Sequence, residues 1–101
     1  RRVILKLPIQ YGNQAEKLEQ LPALLKTVAE SVKDCRFDHA LLTEFATNSL
    51  VLEFVVYVTK GAAEARNRAR HELIVKTMRS LAENGIELYY PAPPPEEEEA
   101  A

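Results

Sequence analysis

Two histidines, one cysteine, three serines and a spaced pair of arginines are the side chains with which this sequence could do chemistry. A metal site needs several ligands at set spacing, and neither His39 nor His71 has a Cys or carboxylate placed that way. His39 shares its alternation phase with Phe37 and Leu41, so it reads as a satisfied histidine at the edge of a core. His71 reads as a helix-surface residue. Cys35 is the lone cysteine, unable to form an intrachain disulfide, and reads as a buried or half-buried small residue in a reducing compartment. Ser31, Ser49 and Ser80 stand apart from any His–acid arrangement, and no Gly-x-Ser-x-Gly turn is present. With three glycines in all, no phosphate-cradling loop is built, and Tyr11-Gly12-Asn13 reads as an ordinary turn before a helix. Catalytic residues, cofactor ligands and metal ligands are therefore all assigned as none.

Arg66 and Arg70 are a less ordinary feature. Four residues apart, they project onto the helical face that carries Leu73, Thr77 and Leu81. They either snorkel to water where the helix overhangs its sheet, or bridge to an acid on a neighbouring element or subunit. On the same helix, Glu64–Arg68 and Glu72–Lys76 make favourable exposed pairs.

The elements that must position these residues follow from periodicity. Val3, Leu5, Leu7, Ile9 and Tyr11 alternate as a strand, with Pro8 inside it as a local conflict. Asn13 followed by Glu16 resembles a capping box opening a helix over 14–33. There Leu18, Leu21, Leu25, Val28 and Val32 share one face, and Pro22 predicts a kink or restart. Phe37 to Phe45 and Leu50 to Val58 alternate on either side of the turn-forming "ATNS", which predicts a hairpin. After Gly61 a second helix runs to about Asn84, Gly85 is its left-handed cap, and Ile86 to Tyr90 is a last strand. The order β-α-β-β-α-β predicts an α+β, ferredoxin-like fold: a four-stranded antiparallel sheet, order 4-1-3-2, with two helices on one face. Residues 1–91 form this domain and 92–101 a Pro/Glu-rich tail.

The chain has 101 residues, 47% hydrophobic and 28% charged, an ordinary balance for one domain. Of 15 acidic residues, Glu96 to Glu99 supply four, so 11 in the body face 13 Lys and Arg. A body this weakly basic is not the surface expected for nucleic acid. Charges interrupt every apolar run well short of a membrane span, and no signal peptide is visible. The chain opens on Arg1 rather than Met, and is read as a piece excised or processed from a longer protein.

Strict alternation leaves one sheet face bare: Ile4 and Lys6; Ala40, Leu42 and Glu44; Val51, Glu53, Val55 and Tyr57; Glu87 and Tyr89. Lys6 and Glu53 are expected to pair across strands. A face too apolar to leave wet and too charged to be a sealed core suits contact with another subunit. Ile4, Leu42, Val51, Val55, Tyr57, Tyr89, Arg66 and Arg70 are the candidate subunit-interface residues. Tyr57 alone is a poor stacking platform for nucleic acid.

Three stretches carry a family resemblance. "RRVILKLPIQYGNQAEKLEQLPALL" resembles the opening of the C-terminal α/β domain of small-conductance mechanosensitive channels, the MscS family. "NSLVLEFVVYV" is similar to its strand after the hairpin turn. "LAENGIELYYP" resembles its closing motif through Gly85, Ile86, Tyr90 and Pro91, with Leu88 in place of the usual Phe. The resemblance covers nearly all of residues 1–91. It implies homoheptamers in which transmembrane helices and a small β-domain precede this domain. Seven copies then form a cytoplasmic cage that filters solutes reaching a tension-gated pore, in a protein of the cell membrane. On that reading the only partners are other copies of the chain, membrane contact belongs to the part before Arg1, and the isolated domain is a monomer or weak dimer. Three hydrophobic helices and a β-rich segment are expected upstream. The resemblance also implies that the chain continues past Pro91 into a barrel strand. Pro93-Pro94-Pro95 instead fit extended polyproline-like chain, and Glu96 to Glu99 are expected to stay solvated and disordered. Seven such tails on one axis would bias ions at that end of the cage. The competing reading is a small-molecule-binding regulatory module of the same fold, which a ligand-dependent rise in melting temperature would favour. An acylphosphatase-like enzyme would need an arginine in "YGNQ", which has none.

Overall fold

Residues 1–91 are described in the computed structural model, and the expected Pro/Glu-rich tail over 92–101 lies outside them. Alternation at the start of the chain builds strand β1, Arg2–Ile9, burying Val3, Leu5 and Ile9. Pro22 restarts the first helical region as expected. Helix α1, Ala15–Glu19, ends before Gln20, and helix α2, Leu21–Glu30, carries Pro22 in its first turn, where a missing N–H leaves nothing unpaired. Leu21, Leu25, Val28 and Ala29 are the face that α2 buries. Asp34 turns the chain at φ 58, a conformation Asp tolerates. Its carbonyl accepts from the Thr59 N–H and hydroxyl, tying this turn to the far end of the hairpin.

Strands β2, Cys35–Phe45, and β3, Leu50–Val58, form that hairpin, and helix α3, Ala63–Glu83, follows. The α3 end is a Schellman motif: Ile86 N donates to Leu81 O and Gly85 N to Ala82 O, with Gly85 at φ 67. Val3, Ile9, Leu25, Leu52, Phe54, Val56, Leu73, Leu81 and Ile86 join in one core between sheet and helices. Each side chain of this size adds about 1.5–3 kcal/mol on burial.

Among the described residues the sheet has three strands, antiparallel throughout, in the order β1-β3-β2. The expected fourth strand is a single bridge, Ile9 to Leu88, beside β1. Its place matches the 4-1-3-2 order; its length does not. Tyr89 N donates to Pro8 O and Gln10 N to Glu87 O. The next bond of that ladder needs an N–H from Pro8, which has none. The same geometry shows why β1 tolerates Pro8, whose nitrogen faces away from β3 and costs that ladder nothing.

Asn13 is not a helix cap. Gln14 holds the cap position of α1 without a side-chain bond. The Asn13 amide instead clasps the closing segment. Oδ1 accepts from Glu87 N at 2.9 Å, and Nδ2 donates to Glu87 O at 2.8 Å and Gln10 O at 2.9 Å.

Candidate functional site

The sheet face opposite the helices is set by register. Alternate residues of β1 and β3 pair outward as Arg2–Tyr57, Ile4–Val55, Lys6–Glu53 and Pro8–Val51. On β2 the outward residues are Arg36, His39, Leu41 and Glu44, opposite Tyr57, Val55, Glu53 and Val51 in turn. The Arg36 guanidinium lies 5.0 Å from the centre of the Tyr57 ring, a cation–π contact that pins both side chains. Val55 is 1% exposed although it lies outside the helix-side core, while Ile4 beside it is 41% exposed.

Strict alternation misassigns the middle of β2. Register shifts between Phe37 and His39 and between Leu42 and Glu44 each let one extra residue into the strand. Ala40, expected outward, is buried opposite Phe54, and Leu42 pairs with Leu52 on the helix side. His39 and Leu41, expected with Phe37 on the helix side, face outward instead. Phe37 keeps its inward place, its ring 6.2 Å from that of Phe54.

The histidine so displaced becomes the polar centre of the face. His39 Nε2 lies 2.9 Å from Glu53 Oε1 and Nδ1 lies 2.9 Å from Asp38 Oδ2. Two carboxylates on two ring nitrogens are both satisfied only when the imidazole carries both protons. The hydrogen bond to Glu53 holds the His39 pKa above its ordinary value; the bond to Asp38 adds to this and partial desolvation opposes it. Lys6 stands opposite Glu53 as expected. The pairing partner of that carboxylate is nevertheless His39.

Among the candidate residues, Ile4, Val51, Val55 and Tyr57 share this face, and Tyr89 follows beside Pro8 at its edge. Leu42 lies on the other side of the sheet, and Arg66 and Arg70 belong to α3, in the helix layer. Neither arginine makes an ion pair among the described residues. Glu64–Arg68 and Glu72–Lys76 do pair, at 3.4 Å each. Arg36, His39 and Leu41 were missed, and pairing Arg36 against Tyr57 was the one signal available for them. Cys35 is half-buried, and burial first, then the charges of Glu72 and Asp34, pushes its thiol pKa up. Such a thiol is a poor nucleophile at neutral pH. Among the described residues no three His, Cys, Asp or Glu side chains are grouped to hold a metal, and no helix is long and apolar enough to cross a membrane.

Two cryo-EM structures of Arabidopsis thaliana MSL1, one of them a variant, superpose with TM-scores of 0.76 at 14% identity over 90% of this chain. The closed-state crystal structure of Helicobacter pylori MscS gives a TM-score of 0.58 at 21% identity over 93%. At these identities the likeness establishes the fold. The chain spans only 35%, 34% and 36% of those three chains respectively. No match was found among curated proteins. The family model described as mechanosensitive ion channel MscS, C-terminal, matches residues 3–88, which is nearly the whole described fold, and the chain belongs to that family.

Proposed function

We propose that this domain is one wall of an oligomeric cage on the cytoplasmic side of a membrane channel. There it contributes to assembly and to the filtering of solutes released through the pore under osmotic stress. The observation that carries the reading is the bare sheet face, where exposed Ile4 and half-buried Val51 and Tyr57 surround a polar centre of His39, Glu53 and Lys6. A face that mixes apolar side chains with a few paired charges suits contact with another subunit. The occupant proposed for it is another copy of the same chain, seven per ring, with Tyr89 at the margin.

A longer version of the protein that includes the β-domain expected before Arg1 tests this. Light scattering should return a mass several times that of one chain. A strictly monomeric mass at concentrations well above those of the cell would sink the cage reading.

A further inference from the structure

The closing segment meets β1 in a single bridge, Ile9 to Leu88, and beyond Leu88 the described chain adds nothing to the lining of the gap between β1 and α3. A cavity of about 210 Å³ remains there. Leu5 and Leu7 line it from β1, Ile74 and Met78 from α3, and Leu88 joins them. Ile74 and Met78 are 45% and 51% exposed, so small solutes have a way in past them. Thr77 shares the lining, is 2% exposed, and its hydroxyl has no partner among the described residues. A helical threonine ordinarily returns its hydroxyl to a carbonyl one turn back. Thr27 does so, donating to Ala23 O at 3.2 Å; Thr77 does not. Water is a poor answer to that need, since it is held in place by about two to four polar partners. The rest of this lining is nearly all apolar.

We propose that this cavity is a binding site for a small neutral molecule with an apolar body and one hydroxyl or carbonyl, which takes up the Thr77 hydroxyl. Volume sets the size. A dry apolar cavity of about 150 Å³ accommodates benzene, so 210 Å³ holds a ring carrying one short polar arm. The lining sets the polarity. No carboxylate borders the cavity, and its one charged residue, Lys6, stands opposite Glu53 with its side chain on the bare face. A charged guest would give up its hydration there without a counter-ion. Met78, unbranched and polarizable, adapts its shape to the guest. The Thr77 hydroxyl is covered, and a threonine on a helix has two χ1 rotamers open to it, so the hydroxyl turns to its guest without moving the backbone. The site lies on the helix side of the sheet, away from the proposed subunit contact, and stands whether or not that contact does.

Benzyl alcohol and ethylbenzene, equal in size and differing by one hydroxyl, are the probes. In NMR titrations of the 101-residue chain, benzyl alcohol should give saturable shifts at the methyl groups of Leu5, Ile74, Met78 and Leu88. Val28 on α2, outside the lining, should not move and reports that the fold is intact. Thr77→Val should weaken benzyl alcohol about fivefold, for the loss of one hydrogen bond, and leave ethylbenzene within about twofold. The same substitution should raise the melting temperature of the free chain, because it removes a buried hydroxyl that has no bond. Ile74→Trp, at an exposed position, should fill the opening and abolish binding of both probes. A Thr77→Val chain that treats the two probes alike, or that melts at a lower temperature, would give the hydroxyl a partner within the fold and overturn the proposal. So would shifts that never saturate or that persist in Ile74→Trp, which would mean loose contact with exposed apolar surface.

Discussion

His39 shows how much one residue's surroundings decide. Its two ring nitrogens each face a carboxylate, Glu53 across the hairpin and Asp38 beside it, and Lys6 stands next to Glu53 on the third strand. The Glu53 bond raises its pKa in the fold above the 6.5 of a free imidazole. A group bound more tightly to its proton in the folded state stabilises below its unfolded pKa and stops doing so above its folded one. The chain should therefore lose melting temperature as pH rises from 6.5 through the raised folded value. His39→Gln should flatten that slope while leaving the far-UV spectrum unchanged. A slope identical in both proteins would show that the imidazole is indifferent to its two carboxylates. This site was not legible from the sequence, because nothing between Phe37 and His39 marks Asp38 as an extra residue. Both phases of β2 carry apolar side chains, Phe37 and Leu41 in one, Ala40 and Leu42 in the other, so alternation alone does not choose between them.

At the scale of the element, the readable features were those with a backbone cause. Pro22 restarts a helix because it has no N–H, and Gly85 ends one because its φ is positive. Pro8 signalled trouble in β1, and the trouble falls on the missing fourth strand rather than on β1 itself. The role of Asn13 was misread because a cap and a clasp draw on the same residue types. The two differ in chemistry. An N-cap needs only an acceptor, so Asn13→Asp would be harmless there. The clasp needs Nδ2 to donate to Gln10 O and Glu87 O, and a carboxylate in that place faces two carbonyls. Asn13→Asp should therefore destabilise by at least as much as Asn13→Ala, about 1–2 kcal/mol for bonds of this kind. Chemical denaturation of both variants would show it, and a neutral Asn13→Asp would restore the cap.

For the whole molecule, the deciding property is that the described residues cover one face of the sheet and leave the other bare. A domain of this size closes its core with the helix side alone, so the apolar surface that Ile4, Val51 and Tyr57 leave on the other face is surplus to the fold. Ile4 is the residue to test, since at 41% exposure it can change without opening the core. Substitutions at such positions alter stability by only about 0.5 kcal/mol, whereas a carboxylate buried in a contact between copies costs its desolvation. In the longer protein, Ile4→Glu should lower the mass measured by light scattering toward that of one chain while the melting temperature of the 101-residue chain stays within a few degrees. Arg70→Gln, in the helix layer away from this face, should leave the mass as it was. If both variants return the mass of the parent, the proposed contact does not lie on the face that carries Ile4. If Arg70→Gln alone lowers the mass, it is the α3 side of the domain that meets another copy, and the bare sheet is not the contact.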